Sequence, residues 1–320
     1  MTAASGQPPH VVAGFTVSRI MQQVLLALLP VTAVQAYLFG LRPLLLIAAA
    51  GLVALACEAV ALRLRRRAPQ PFLRDGSVLV TAALLALAVP PTLPVWLLAF
   101  GVAVAVLIGK HAYGGLGQNP FNPAMVGYAV LLVSFPLEMT RWPAPGAGWD
   151  AMTGATALDT LRTGLRQSLT MQEIFAGPAF GHVAAAGGEW VSLAALAGGV
   201  YLLARRIIRW HIPVAMLAGL AVPAALFHLF DPGAHASASF HLAAGATMLG
   251  AFFIATDPVS SATSDRGRLY YGAGIGVLTW IVRTWGGFPD GLAFAVLIMN
   301  LAVPLIDRYT IPRIHGHTRR

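Results

Sequence analysis

The sequence predicts an all-α integral membrane protein of about ten transmembrane helices in two inverted five-helix repeats. Three observations predict it. The 320 residues are 57% hydrophobic and only 10% charged, against about 25% charged in soluble globular domains. Apolar stretches of membrane-spanning length recur along the whole chain. Basic residues gather at alternate ends of those stretches, which is how membrane proteins place positive charge.

The stretches fall at roughly 20–38, 43–62, 77–92, 94–109, 122–137, 188–204, 211–229, 240–256, 269–285 and 289–306. Several are short or end in proline turns: Val89-Pro90-Pro91, Asn122-Pro123-Ala124 and Asp257-Pro258. With the N-terminus in the cytoplasm, sixteen of the twenty-one basic residues lie on the cytoplasmic side. They include the Arg63–Arg67 cluster, Lys110, Arg205, Arg206 and Arg209. Five lie outside: Arg42, Arg141, Arg162, Arg166 and Arg283. The C-terminus then returns to the cytoplasm, and a long loop at 138–187 faces outward. The chain divides into a first repeat (1–137), this outer loop (138–187) and a second repeat (188–320).

The repeat itself is visible as short echoes. Lys110-His-Ala-Tyr-Gly114-Gly115 followed by Gly127-Tyr-Ala-Val-Leu131 resembles Arg283-Thr-Trp-Gly286-Gly287 followed by Ala293-Phe-Ala-Val-Leu297. Each copy links the fourth and fifth spans of its half. Five is an odd number, so the second half is inverted, and inverted repeats with broken helices place binding sites near the midplane.

The net charge of +9 does not imply nucleic acid, because the arginines flank apolar spans and no basic segment carries exposed aromatics. No basic n-region with a cleavage site precedes the first span, so no removable signal peptide is expected. Cys57 is the single cysteine. It excludes an intrachain disulfide or CxxC metal site and reads as a small core residue.

Four polar stretches can carry chemistry. In the outer loop, Thr156-Ala-Leu-Asp159 has the spacing of a capping box, in which a hydroxyl caps a helix and an acid follows three residues later. The preceding Asp150-Ala-Met-Thr153-Gly154-Ala155 surrounds the Thr156 hydroxyl with small residues, which would admit a modifying enzyme. Threonine is a poor nucleophile alone, so such chemistry needs an outside catalyst. The residues alone leave cap and chemical handle both open.

The second stretch is Tyr113-Gly-Gly115-Leu-Gly-Gln-Asn119-Pro-Phe-Asn122-Pro-Ala. Glycines let backbone approach a ligand, prolines leave carbonyls unpaired, and both asparagines donate and accept. Such a patch at membrane depth needs a ligand, water or protein partner, though a re-entrant turn capping the fifth span also accounts for it. The third is Thr256-Asp257-Pro258. Charge beside an apolar span is costly and often functional, but Asp-Pro also ends helices. The fourth is Gly287-Phe-Pro-Asp290-Gly291, where Asp290 reads first as a helix N-cap. Glu58, inside the second span, is a weaker candidate for ion or proton handling, and Asp307 with Arg308 reads as an interfacial pair. Gly272-x-Gly274-x-Gly276 opens an apolar span and reads as close helix packing, not as a nucleotide fingerprint. His315 and His317 lack further ligands, so no metal site is expected.

Taken in order, several long motifs resemble the RnfD family: Gly114–Met125, Arg209-Trp-His-Ile-Pro213, Gly245–Phe253, Thr256-Asp-Pro-Val259, Gly286–Gly291 and Val303–Arg313. RnfD is a membrane component of the Rnf (Rsx) ion-translocating electron transport complex, a relative of the B subunit of the sodium-pumping NADH:quinone reductase. The resemblance covers nearly the whole chain. It implies one part of a bacterial inner-membrane translocase, not a stand-alone enzyme. Its complex moves electrons between NADH and ferredoxin and couples this to Na⁺ or H⁺ transport. It implies FMN joined to Thr156 through a phosphoester by a flavin transferase, with Asp150, Thr153, Gly154 and Ala155 completing the transferase motif. Ala151 stands where the family often has glycine. The implied partners are the A, B, C, E and G subunits, the transferase and the lipid bilayer. A noncovalent riboflavin within the membrane is also implied. Tyr113, Gly115, Asn119, Asn122, Asp257 and Asp290 are the candidates for its surroundings or for an ion path. A small-solute transporter of the urea or ammonium kind would share the inverted repeat but gives the Asp150–Thr156 loop no role.

Overall fold

In the computed structural model, residues 16–143, 156–288 and 290–310 are described. Among them the secondary structure is helical apart from isolated bridging residues, such as Phe180 opposite Ala185. Helix α1 (Val17–Phe39) starts where the Thr16 hydroxyl accepts the Arg19 N–H and stops at Gly40, whose φ of 71° ends the helix. Helix α2 (Arg42–Leu64) opens with Pro43 in its first turn, where the missing N–H costs nothing. A short α3 (Pro69–Leu73) leads to α4 (Ser77–Ala88), which is apolar all round and buried along most of its length. A helix of that composition belongs at the centre, and α4 packs against α1, α2 and α6 (Pro123–Ser134).

Helix α5 (Val95–Ala103) runs into a π-helical segment, Val104–His111. The wider turn re-aims the side chains that follow, and such segments are frequent at functional sites. After α6 come α7 (Pro136–Thr140) and the outer-loop helices α8 (Ala157–Arg166) and α9 (Met171–Phe175). The second half holds α10 (Gly188–Ala204), α11 (His211–Phe230), α12 (Ala238–Ala243), α13 (Thr247–Leu249), a second π segment (Gly250–Ile254), α14 (Asp265–Trp285) and α15 (Leu292–Thr310).

Each of the ten apolar stretches carries helix, and α1, α2, α11 and α15 are long and apolar enough to cross a membrane. The stretch at 240–256 is not one helix. Gly245 at φ +61° and the π segment divide it into three short pieces. One main core of buried apolar side chains joins the two halves, with Val31, Leu46, Leu85, Leu131, Phe253 and Ile275 within it. Cys57 packs half-buried against its edge. Outward faces of the long helices stay apolar, as at Leu29, Leu52, Val60 and Leu301. The packing reading of the glycine series holds at α11 and α14. A Cβ on Gly276 would strike the backbone of Met216 and Leu220, so the two helices touch backbone to backbone.

Candidate functional site

Thr156 is the N-cap of α8. Its Oγ1 accepts the Asp159 N–H at 3.1 Å, the forward bond of the capping box. The apolar residues of α8 recur on one face: Ala157, Leu158 and Leu161 are buried together with Ile174, Ala184, Phe240 and Ala244 in a small outer core. Each fully buried leucine there adds about 1.5–3 kcal/mol. Asp159, Arg162 and Arg166 take the other face. The helix is therefore docked, and the threonine at its tip is half-buried. The Thr156 hydroxyl accepts in this bond, and its own proton is not committed by it. The other transferase-motif residues, Asp150, Thr153, Gly154 and Ala155, lie outside the described residues, as do His315 and His317.

The next helix of the outer segment is capped reciprocally. The Thr170 N–H donates to Glu173 Oε2 at 2.8 Å, and the Glu173 N–H donates to Thr170 Oγ1 at 3.3 Å. The Thr170 N–H first, and its hydroxyl second, hold the Glu173 carboxyl below the ordinary range. A carboxyl depressed by folding stabilises the folded state above its unfolded pKa, here the ordinary value of 4.5. That contribution is lost as pH falls through 4.5 to the lower folded value, because the unfolded chain then binds a proton that the folded chain does not. Thermal unfolding in detergent at pH 6 and pH 3.5 should show the loss. Glu173→Gln, which keeps an acceptor but does not titrate, should lose less between the two.

A cavity of about 110 Å³ lies between the two halves. Its polar lining comes from Ser77, Thr81, Lys110, Asn119, Asn122, Thr256 and Asp257, and its apolar walls from residues such as Leu84 and Phe252. Three sequence candidates thus meet on one cavity. Asn122 is pinned from several sides. Its Oδ1 caps α6 by accepting the Met125 N–H, its Nδ2 donates to Ile254 O at 3.1 Å, and its N–H donates to Asn300 Oδ1 at 3.0 Å. Asn300 in turn donates to Ser260 O and to the Tyr271 hydroxyl. Asp257 accepts from the Ser260 hydroxyl at 2.7 Å. The other candidates lie elsewhere. Gly115 is buried at φ +101° with its Cα side toward His111. Tyr113 is exposed and meets Phe121 edge-on.

Glu58 closes a buried polar cluster behind this cavity. Its Oε1 receives Lys110 Nζ at 2.9 Å, and its Oε2 lies 2.9 Å from His111 Nε2. Lys110 also donates to Ser77 Oγ at 2.9 Å. The Glu58 and Lys110 side chains are 1% and 3% exposed. Lys110 is therefore no loop charge at the membrane surface, as its position at the end of an apolar run suggests, but an internal cation. His111 Nδ1 is buried without a partner among the described residues.

Asp290 sits at a second buried pair. It accepts from Arg283 at 3.2 Å, from the Ala246 N–H and from the Leu292 N–H that opens α15. The last bond fits the cap reading. Arg283 also donates to the carbonyls of His241 and Ala244, so a residue that reads as an outer loop charge is wholly internal. A Cβ on Gly245 would meet Asp290, Arg283 and Leu158 together, which ties α8 to this pair. Asp290 lines a separate, smaller cavity with Met125 and Tyr128. Asp307 accepts the Thr263 N–H.

Fold and site define a multi-helical membrane protein whose broken helices line a largely apolar cavity with a few polar groups on its wall, with a docked, hydroxyl-capped helix in the outer segment. The chain belongs to the NQR2, RnfD, RnfE family, whose model matches residues 4–316. It is 55% identical over 338 residues to the D subunit of the ion-translocating oxidoreductase complex of Pseudomonas paraeruginosa, covering 100% of this chain and 97% of that one. The proteins of the same name in Vibrio cholerae and Vibrio vulnificus are 49% and 47% identical, each over 97% of this chain and 98% of their own length. The chain is thus one membrane component of an ion-translocating oxidoreductase complex, not a stand-alone enzyme.

Proposed function

We propose that this chain passes electrons through flavins within its complex and carries FMN on Thr156. The observation that carries the proposal is the whole-length relation to the Pseudomonas and Vibrio proteins, joined to the placement of Thr156. A phosphoester on Oγ1 would put an anion at the N-terminus of α8, where backbone N–H groups and the helix dipole favour one. Transfer from an activated donor such as a flavin dinucleotide forms the Oγ1–phosphorus bond. It breaks the pyrophosphate P–O bond, so that the nucleoside monophosphate half leaves, and releases the hydroxyl proton. The docked apolar face of α8 then holds the attachment point still, while the flavin supplies the redox chemistry.

The central cavity offers apolar walls for the faces of an isoalloxazine and polar groups at Asn119, Asn122, Ser77 and Thr256. These already donate within the chain, to Phe121 O, Ile254 O, Asp75 and Phe252 O, so a ring edge would exchange for some of those bonds. A noncovalent riboflavin would seat its ring in this cavity. In the proposed setting the complex passes electrons between NADH and ferredoxin and moves Na⁺ or H⁺, with the A, B, C, E and G subunits as partners. The chain lies in a bacterial inner membrane as ten crossings in two inverted sets. Its termini are cytoplasmic and its flavin loop faces the periplasm. Purification tests the proposal. The tagged chain, extracted from membranes in mild detergent, should bring partner subunits with it and keep flavin after denaturation. A chain that purifies alone and free of flavin would contradict it.

A further inference from the structure

We propose that Lys110 is a proton-transfer residue, reloaded from water through Asp75 and Ser77, that serves the occupant of the central cavity. The first support is compositional. The chain has twenty-one basic residues, and Lys110 is the only lysine among them. Arginine is always charged and holds its proton at any reachable pH, whereas a buried lysine can release one. A fixed partner for Glu58 needs nothing that arginine lacks, and arginine pairs better with a carboxylate. The one lysine stands where a removable proton would be of use.

The second support is geometric. Lys110 lines the cavity. Its Nζ donates to Ser77 Oγ at 2.9 Å, and Ser77 Oγ donates to Asp75 Oδ1 at 2.6 Å. Asp75 is half-buried and next to exposed Arg74. Three groups in hydrogen-bond contact thus lead from the protein surface to the cavity wall. The other titratable groups around Lys110 are Glu58 from α2, His111 from its own segment, and Asp257 on the lining of the same cavity. Helix α1 contributes only apolar Ile20, Met21 and Val24 to that lining.

Protons and electrons balance along this path. When the occupant takes up an electron pair from a reduced flavin, one Nζ proton passes to a basic nitrogen or oxygen on it. Asp75, the carboxylate that accepts the Ser77 hydroxyl, first takes a proton from water. The Ser77 hydroxyl then turns to give its proton to the neutral amine as Asp75 passes the new proton to Ser77 Oγ and returns to the carboxylate. One proton enters at the surface, one is delivered, and Glu58 keeps its charge throughout. The identity of the occupant rests on the function proposed above; the relay does not.

Because the lysine is alone, labelling with ζ-¹⁵N lysine gives one resonance from the full-length chain in lipid nanodiscs. Exchange of its protons with water should be slowed by about tenfold or more in Ser77→Ala and in Asp75→Asn, as expected when a positioned proton carrier is removed. Equal exchange rates in wild type and both variants would overturn the relay, whether or not flavin is bound. In flavin-loaded protein, Lys110→Arg keeps the positive charge. Proton uptake on reduction with dithionite, followed with a pH indicator, should slow in that variant. Uptake at the wild-type rate would show that a fixed charge suffices and would overturn the proposal. A chain that retains no flavin contradicts only the assignment of the occupant, and the exchange measurement then decides the relay alone.

Discussion

Replacing Glu58 with alanine should destabilise the protein by about 3–5 kcal/mol, the range for removing one partner of a buried ion pair. The carboxylate is the acceptor that Lys110 and His111 share. Without it an ammonium remains in a nearly closed site, with the Ser77 hydroxyl as its remaining acceptor. The loss is therefore chiefly the cost of the stranded charge, not of the missing contact. A double variant, Glu58→Ala with Lys110→Met, removes the charge as well and should recover most of the deficit. The measure is the fraction of protein still monodisperse after heating in detergent, taken across a temperature series. If the single and double variants were equally unstable, the cluster would be held by packing and not by charge.

The second large effect is expected at Arg283. Its guanidinium satisfies the Asp290 carboxylate and the carbonyls of His241 and Ala244 at the break between α12 and α13. Arg283→Met preserves much of the volume but leaves Asp290 charged and those carbonyls short of a donor. A loss of about 3–5 kcal/mol follows from the same principle. The damage should also spread outward. Leu158 packs where Gly245, Arg283 and Asp290 converge, so α8 loses its footing. Limited proteolysis should cut the outer segment faster in Arg283→Met than in the wild type, at temperatures where both remain folded. Asp290→Asn, which keeps hydrogen-bonding capacity, should be milder in both assays. Unchanged proteolysis in Arg283→Met would separate the outer helix from the ion pair.

Much of the fold is legible in the sequence because membrane burial leaves a local signature. Runs of apolar residues mark helices wherever they lie, and Asn122-Pro123 marks the start of α6 by a cap followed by proline. Other features depend on distant partners. Lys110 and Arg283 each end an apolar run, and a charge there reads the same whether it reaches the membrane surface or folds inward. What decides the matter is Glu58, fifty-two residues from Lys110, and a set of carbonyls some forty residues from Arg283. No local pattern announces those pairings. One pointer to the buried cluster does exist in composition alone: a lone lysine among twenty arginines. The break at Gly245 is hidden because its neighbours are small and apolar, and only its positive φ distinguishes it. Asn119, Asn122 and Asp257 stand out as polar residues at membrane depth, and they share a cavity. Tyr113 stands out only as part of the same motif, and it is exposed. At Thr156 spacing leaves cap and handle open. The two readings do not compete, because the bond that caps α8 uses the oxygen as an acceptor.

The central claim is the covalent flavin on Thr156, and in-gel flavin fluorescence under denaturing conditions tests it most directly. Wild type and Thr156→Val should be made with and without a flavin transferase. A fluorescent band is expected only for the wild type made with the transferase. A dark wild-type band, with the transferase shown to act on another substrate, or a fluorescent band from Thr156→Val, would contradict the assignment.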